Sequence, residues 1–393
     1  MAKLTRRELL RGSLIAGGTL LTGLDRLAWG QATTKPSAKD PFFGGKRLGN
    51  VEFSGEIPIE MDTKIGEELD GRLYTDLSVL TPERATIATK DFYLRTCASK
   101  LLPEQKPWTI RVTGDSDGGS EPRVITVPQL TALEKPMGVH LMECAGNTRE
   151  FHFGLMSAAN WAGVPIGDVL TMAKIDSQGG RILVSGFDEY EAQSTGSIPG
   201  ASWIFTREEL QKSHAFLATK MNEEPLTKDH GAPIRLVIPG WYGCTCIKWV
   251  NEIRVVNDDV AATSQMQEYA ARTHQQGVPA LAKDFRAAVI DHAATPIRVE
   301  RWAVGSLTKY KVVGILWGGS QPARKIEIRF NPEEEYVPVD NFSPAHGDSW
   351  SFWSHAWLPR KPGTYLIRLR VKEPAIPAKR LDAGFYMRTV EIE

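Results

Sequence analysis

The sequence predicts an α+β protein in which a mixed domain is followed by an immunoglobulin-like β-sandwich. In the first part, helical stretches such as 206–213 are interspersed with short apolar strands, which we expect at 109–113, 181–185 and 234–238. From about residue 285, apolar and polar side chains alternate strictly and turn signals separate the alternating runs. A chain of 393 residues also exceeds what one core usually supports. We therefore expect domains at 81–284 and 285–393, preceded by a surface-wrapping leader at 31–80.

The first thirty residues have the pattern of a twin-arginine export signal. Arg6 and Arg7 precede an apolar run that glycines dilute, and Ala28-Trp29-Gly30 supplies small residues at a cleavage position. The apolar run is too short and glycine-rich to span a bilayer, although an N-terminal membrane anchor is the alternative interpretation. Since this route exports folded proteins, the signal at 1–30 predicts a periplasmic protein that carries a complex cofactor.

Composition excludes several classes of protein. Lysine and arginine number 47, as do aspartate and glutamate, and removal of the positively charged signal leaves a mildly acidic chain. That balance gives no support to nucleic-acid binding. Four cysteines are few for a disulfide-rich exported protein, and the sequence has neither a haem-attachment motif nor zinc-ligand spacing. After signal cleavage we expect no membrane span.

Cys144 is the first candidate for a chemical role. It lies in the run 142–150, MECAGNTRE, where glycine, asparagine and arginine follow it closely. A thiolate beside backbone N–H groups and a cation suits a soft or high-valent transition metal. The alternative is ordinary packing, because a free cysteine behaves as a small hydrophobe.

A second candidate segment is suited to binding an anion. His230, Arg235 and Lys248 alternate with glycines over residues 229–249. Arginine can bind a phosphate with two parallel hydrogen bonds, lysine supplies a point charge, and turns expose N–H groups. The alternative is a solvated hairpin with ordinary surface charges.

Together these motifs and the alternating tail resemble the sulfite oxidase family of molybdenum enzymes, over roughly residues 80–393. The resemblance implies a molybdenum centre held by one molybdopterin, a pyranopterin dithiolene, and by Cys144 as the metal ligand. It also implies catalytic or substrate-pocket roles for Arg95, Arg149, Trp161, Tyr269 and a tail arginine, for which Arg380 is the better candidate and Arg388 the other. Cofactor contacts are implied for Tyr93, Asp188, His230, Arg235 and Lys248.

The chain departs from the family pattern at Thr96-Cys97 and at Cys244-Thr245-Cys246, whose roles the resemblance does not supply. It contains no haem-binding domain beside the molybdenum domain. Electrons from the site must therefore leave to a separate protein.

The resemblance implies periplasmic oxidation of sulfite to sulfate by oxo transfer, with electrons passed to a c-type cytochrome. Three alternatives remain open: a sulfane dehydrogenase subunit of a thiosulfate-oxidising complex, a sulfoxide reductase, and a cofactor-free binding protein. The sandwich is expected to mediate a homodimer. That expectation rests on the family and on aromatic residues in excess of what a small core needs, namely Trp317, Phe352, Trp353 and Trp357.

Overall fold

The computed structural model describes seven stretches of the chain: 40–56, 70–97, 107–114, 121–175, 179–187, 201–345 and 348–393. The export signal expected at 1–30 lies outside them. The chain separates into two units, 1–43 and 44–393. In the first, the described residues form a turn closed by a hydrogen bond from Phe43 N–H to the Asp40 carbonyl, 3.0 Å.

The α-helices of the described residues are short. They are α1 (Val127–Thr131), α2 (Ile166–Met172), α3 (Arg207–Lys212), α4 (Ser264–Tyr269) and α5 (Lys379–Asp382). Two of them begin with a reciprocal cap: Thr126 with Gln129 in α1, and Thr206 with Glu209 in α3. The helix expected at 206–213 is thus α3, and its start is fixed by a capping motif visible in the sequence.

Two sheets form the first part of the fold. One has the order β10-β9-β14-β5-β6 and contains one parallel pair, β14 with β5. Its strands are β5 (Thr109–Thr113), β6 (Arg123–Thr126), β9 (Arg181–Gly186), β10 (Ser202–Phe205) and β14 (Val250–Val256). The other is antiparallel, in the order β12-β11-β8-β7 with β13 also paired to β11. Its strands are β7 (Lys135–Glu143), β8 (Met156–Pro165), β11 (Phe216–Met221), β12 (Glu224–Pro225) and β13 (Arg235–Val237).

A small hairpin, β3 (Asp70–Leu73) with β4 (Leu94–Cys97), accompanies these sheets. The mixture of helices with largely antiparallel sheets confirms the α+β class. The strands expected near 109, 181 and 234 appear as β5, β9 and β13.

The last part of the chain folds into two antiparallel five-stranded sheets, ordered β1-β15-β16-β20-β19 and β18-β17-β21-β22-β2. The strands after residue 290 are β15 (Ala293–Val304), β16 (Leu307–Trp317), β17 (Ile326–Arg329), β18 (Val337–Pro338), β19 (Asn341–Ser343), β20 (Ser351–Trp357), β21 (Gly363–Val371) and β22 (Arg388–Ile392). Trp357 of one sheet stacks on Phe330 of the other at 4.2 Å and meets Tyr365 edge-on. The two sheets therefore pack as a sandwich, whose immunoglobulin-like class stays a prediction.

Part of the expected leader belongs to this sandwich. β1 (Lys46–Val51) pairs with β15, and β2 (Phe53–Ser54) pairs with β22. Each forms an edge strand, so these residues do follow the surface, but as members of the sheets rather than as a separate layer. No local pattern predicts this pairing, because KRLGNV lacks alternation and its pairing partners lie about 250 residues away.

The aromatic residues expected to exceed the sandwich core are all internal. Trp317, Phe352, Trp353 and Trp357 are at most 8% exposed. They do not form an exposed apolar patch, and that part of the reasoning for a homodimer was wrong. The dimer itself stays a prediction that rests on family resemblance alone. Separately, no helix in the described ranges is long and apolar enough to cross a membrane.

Candidate active site

Cys144 lies at the start of a tight loop directly after β7, and its side chain is 7% exposed. The backbone N–H of Gly146 points at the cysteine sulfur, with N to Sγ at 3.4 Å. Asn147 locks the loop, because its side chain accepts from Leu155 N–H at 3.1 Å and donates to Glu143 at 3.3 Å. The motif Cys-Ala-Gly-Asn therefore holds one thiol in a fixed position with a donor aimed at it.

Glu143, one residue before the thiol, joins this loop to the sandwich. It is fully buried and accepts from Trp317 Nε1 at 2.9 Å and from the Tyr386 hydroxyl at 3.1 Å. Burial raises the pKa of this carboxyl, which the charge of nearby Arg380 opposes. Since both aromatic donors come from the sandwich part of the chain, that part forms the back wall of the cysteine loop.

Tyr269 and Arg95 face Cys144 from two other elements. Thr263 caps α4, and Met266 buries the helix in the core, so Tyr269 one turn later lies on the inward side. Burial, followed by the charge of Cys144, raises the pKa of Tyr269, and the positive charge of Arg95 opposes this shift. The structure thus brings together three expected site residues that are far apart in the sequence.

Arg272, which the sequence did not single out, also reaches the cysteine loop. It lies in the turn Ala271–Thr273, and its guanidinium is 5.5 Å from the Tyr269 ring centre. A Cβ built on Gly146 would lie 3.2 Å from Arg272 Nη1 and 3.8 Å from the Cys144 sulfur. Glycine at 146 therefore makes room for the guanidinium. An arginine in a polar run carries no local signal of such a contact.

The two candidate tail arginines occupy different places. Arg380 donates through Nη2 to the Arg272 carbonyl at 2.7 Å and to the Ala145 carbonyl at 3.4 Å. Arg388 is 2% exposed and forms a two-pronged ion pair with Glu56, in which Nε to Oε1 is 2.7 Å. Arg380 thus lies beside the cysteine loop, whereas Arg388 is held within the sandwich by a carboxylate.

Arg149 and Trp161 each lie near a buried arginine. Arg149 is half-buried in the turn Arg149–Phe151, and its charge lowers the pKa of neighbouring Arg388, although burial is the larger cause of that shift. The Trp161 ring is 1% exposed and packs at 5.7 Å from the Arg235 guanidinium. Trp161 therefore supports Arg235, and its ring does not form an open pocket wall.

Arg235 is the centre of the expected anion-binding segment. Its guanidinium donates to the carbonyls of His230 at 3.1 Å and Cys246 at 3.2 Å, and to the Met142 sulfur at 3.2 Å. The residue is 3% exposed and forms no ion pair with any described carboxylate, and its buried Nε has no partner there. Burial lowers the pKa of Arg235. A buried cation with only neutral partners is costly, and an anion would remove that cost.

His230 and Lys248 lie near Arg235, and both form hydrogen bonds with other groups of the protein. His230 Nε2 donates to the Phe92 carbonyl at 3.2 Å, and Nδ1 accepts from the Thr227 hydroxyl at 2.7 Å. Burial, with help from the charges of Lys248 and Arg235, lowers the pKa of His230 to about 4. Lys248 Nζ donates to the carbonyls of Asp229 at 2.6 Å and Arg95 at 3.0 Å. Lys248 thereby ties the anion-binding segment to the strand that carries Arg95.

Tyr93 lies between the thiol and Arg235. It is 7% exposed, and burial, followed by the charge of Cys144, raises its pKa while Arg235 opposes the shift. Its hydroxyl lies 2.6 Å from where a Cβ on Gly243 would stand, so glycine at 243 is required for this approach. The two sequence motifs are therefore parts of one site.

The remaining predicted residues give less information. Asp188 lies outside the described residues. Cys244 and Cys246 are buried free thiols, and burial raises the pKa of both. The charge of Cys144 adds to the shift of Cys244, which places a second thiol close to the first.

The chain is similar in sequence and in fold to known proteins. A family model for an oxidoreductase molybdopterin binding domain matches residues 99–264. Sulfite oxidase of Gallus gallus is 23% identical over 373 residues, which cover 86% of this chain and 74% of that enzyme. The mitochondrial sulfite oxidase of Homo sapiens is 31% identical over 182 residues, which cover 43% of this chain and 33% of that enzyme. The matches to the human and mouse enzymes thus span about a third of their length.

A solved structure resembles nearly the whole fold. The sulfane dehydrogenase SoxCD from Paracoccus pantotrophus superposes with a TM-score of 0.57 over 95% of this chain and 96% of that one, at 16% identity. A likeness at this identity supports the fold and carries no argument about substrate.

The donor set fits a molybdenum–molybdopterin cofactor. Among the described residues no cluster of three His, Cys, Asp or Glu side chains could hold a metal, so the protein would contribute Cys144 as a single thiolate ligand. Arg235, buried and without a counterion, fits an anionic group such as a phosphate. Cys144 would bind the metal, and Arg235 would bind the anionic part of the organic ligand. Tyr93, which lies near both residues, would stand beside the bound group.

Proposed function

We propose that this chain, which is similar to sulfite oxidases and matches a molybdopterin binding oxidoreductase domain at residues 99–264, oxidises sulfite to sulfate. One observation carries the proposal: a buried thiol with an N–H group aimed at its sulfur lies within electrostatic range of Tyr269, which in turn lies within range of Arg95. Arg95 provides positive charge for a dianion, and Cys144 provides the metal ligand. The bound molybdenum–molybdopterin group supplies the oxygen atom and accepts the two electrons.

The chain's own residues bind and orient. Arg95 attracts the oxygens of sulfite by charge-assisted hydrogen bonds, which are about twice as strong as neutral ones. Tyr269 is protonated at neutral pH, as an ordinary tyrosine is, and burial raises its pKa further, so its hydroxyl would be available as a hydrogen-bond donor to a bound oxyanion. Arg235 holds the cofactor's anionic part. The Trp161 ring packs against the Arg235 guanidinium, and the His230 carbonyl accepts a hydrogen bond from it, so both residues keep Arg235 in place.

The location and partners are also part of the proposal. The arginine pair at 6–7 supports export in folded form to the periplasm, where a c-type cytochrome is the natural one-electron acceptor. The net charge is near zero for the whole chain and mildly negative without the signal, which suits transient docking of a basic cytochrome. A homodimer through residues 285–393 belongs to the same proposal.

The test is a purified protein made in a host that synthesises the cofactor. We expect about one molybdenum per chain and steady sulfite oxidation with cytochrome c as acceptor. Cys144→Ser should fold yet lose at least about a thousandfold in turnover, because it removes the ligand on which the chemistry depends. Cys246→Ser is the matched control: it alters another buried thiol nearby, so molybdenum content and turnover should stay close to the wild type.

Other outcomes would redirect or reject the proposal. Turnover with sulfane sulfur but not with sulfite would favour a sulfane dehydrogenase, and reduction of sulfoxides by an added electron donor would favour the reverse reaction. Absence of molybdenum from soluble, folded protein would reject the metalloenzyme altogether. Wild-type turnover by Cys144→Ser would reject the assignment of the ligand.

A further inference from the structure

Arg272, which the sequence did not predict as a site residue, places its guanidinium beside the cysteine loop. Arg272 is solvent-exposed, yet it lies close to the cysteine loop. A Cβ built on Gly146 would lie 3.2 Å from Arg272 Nη1 and 3.8 Å from the Cys144 sulfur, and the guanidinium lies 5.5 Å from the Tyr269 ring centre. It forms no ion pair with a carboxylate in the described part of the chain. Burial raises the pKa of Glu268 and the charge of Arg272 opposes that shift, so one carboxylate lies near this guanidinium without forming an ion pair. A guanidinium placed in this way over the Cys144 thiol offers a planar set of donors, the arrangement that recognises oxyanions.

The backbone that carries Arg272 is held in place by another arginine. Arg380 Nη2 donates to the Arg272 carbonyl at 2.7 Å and to the Ala145 carbonyl at 3.4 Å. Ala145 lies between Cys144 and Gly146, so one guanidinium fixes the spacing between the cysteine loop and the Arg272 turn. The Arg380 guanidinium is also held at 5.1 Å from the Tyr242 ring. The Nη2 of Arg380 is thus committed to positioning these two backbone segments.

We propose that Arg272 binds the small dianionic oxyanion entering this pocket, and its dianionic product, and that Arg380 acts through Arg272 as a positioning residue. Arg272 takes the place that the sequence assigned to a tail arginine, since Arg388 is paired with Glu56 and Arg380 with two carbonyls. The assignment of substrate class rests on the proposed function, whereas oxyanion binding by Arg272 is a property that can be measured without turnover.

The experiment compares Arg272→Gln and Arg272→Lys with the wild type in two measurements. Calorimetric titration with sulfate reports binding of an unreactive dianion to the purified holoenzyme. Steady-state kinetics with sulfite separate KM from kcat. Loss of one charge-assisted contact should weaken sulfate binding and raise KM for sulfite by about tenfold to a hundredfold. We expect kcat to change less than about threefold, and Arg272→Lys to lie between the other two proteins.

Arg286→Gln is the matched control. Arg286 is another exposed arginine near the same turn, since its backbone N–H donates to the Gln275 side chain at 2.7 Å. Removing its charge tests for a general electrostatic effect, and both sulfate affinity and KM should stay within about twofold. An equal effect of Arg286→Gln and Arg272→Gln would overturn the specific assignment.

The positioning role of Arg380 has its own test. Arg380→Gln should raise KM in the wild-type background but add little in the Arg272→Gln background, because its effect passes through Arg272. Independent, additive effects would overturn that role.

Failure of this inference can be distinguished from failure of the proposed function. If the wild type oxidises sulfite while Arg272→Gln retains its sulfate affinity and KM, Arg272 is not the oxyanion ligand and the proposed function stands. If the wild type does not oxidise sulfite, sulfate titration of the wild type and Arg272→Gln still decides whether Arg272 binds an oxyanion. Equal sulfate affinities would then reject it.

Discussion

Arg235 and Arg388 are buried to the same degree, 3% and 2% exposed, but their charges are balanced in different ways. Arg388, in the sandwich, forms an ion pair with Glu56 and donates to the Pro296 carbonyl at 2.9 Å. Arg235, in the first part of the fold, has carbonyls and a thioether as partners and no described carboxylate. The charge of Arg388 is balanced by a carboxylate of the chain itself. The charge of Arg235 has no such partner among the described residues and suits a bound anion. Buried charges without counterions thus separate the ligand-binding part of this fold from its structural part.

The largest effect on stability should come from breaking the balanced pair. Arg388→Met leaves the Glu56 carboxylate with His152, 3.0 Å away, as its described ion-pair partner, and removal of one partner of a buried pair typically costs about 3–5 kcal/mol. We expect that loss in the free energy of unfolding of both the cofactor-free and the cofactor-loaded protein, measured by denaturant titration. A loss confined to the loaded form would contradict a purely structural role for Arg388.

The same substitution at Arg235 should behave in the opposite way. Arg235→Met removes an uncompensated charge along with its hydrogen bonds, so we expect the cofactor-free protein to change by no more than about 2 kcal/mol. The extra stability gained on loading the cofactor should fall by about 2–5 kcal/mol, because a buried charge pair with the ligand is lost. The measurement is the difference between the unfolding free energies of the loaded and cofactor-free forms. An unchanged difference would show that Arg235 does not bind the cofactor.

The sequence could predict the Arg235 region better than the Arg272 region, for a physical reason. His230, Arg235 and Lys248 lie within 19 residues of one another. Gly231 lies among them at φ +102°, and a Cβ built on it would crowd Arg235 and Lys248. Glycines at such close approaches are visible in the sequence. Arg272 meets Gly146 across 126 residues, and neither residue carries a periodic signal that indicates the contact. The pairing of the leader with β15 and β22 was missed for the same reason, because long-range partners leave no local pattern.

Residue identity alone also does not show which contacts a side chain makes in the folded chain, and the predicted cofactor contact of His230 stays a prediction. The tail arginines looked alike in the sequence, and only the position of Glu56 shows that Arg388 is structural. His230 was expected to contact the cofactor, yet both of its ring nitrogens are bonded to Phe92 and Thr227. Its role here is to hold the carbonyl that Arg235 uses.

The lowered pKa of His230 makes the stability of the protein depend on pH. Its folded pKa is lowered to about 4 from an ordinary value of 6.5, so between these values the unfolded chain binds a proton that the folded chain does not. The stability of the cofactor-free protein is therefore fully present above pH 6.5 and falls as the pH approaches 4, by about 3 kcal/mol from this group. His230→Gln should remove that part of the pH dependence, as measured by denaturant unfolding at several pH values. Parallel curves for the two proteins would contradict the assignment.

The smallest effect should come from Tyr269, which tests the pocket side of the site. Tyr269→Phe deletes one hydroxyl donor from a buried position, so kcat for sulfite should fall about tenfold to a hundredfold while the fold and molybdenum content are kept. Because burial and the Cys144 charge raise its pKa, the hydroxyl stays protonated across neutral and mildly alkaline pH. The ratio of wild-type to variant kcat should therefore be constant from about pH 6 to pH 9. A ratio that falls toward one within that range would mean that the hydroxyl ionises there, and the pocket would then have to be more open and more positive than Arg95 and Arg272 make it.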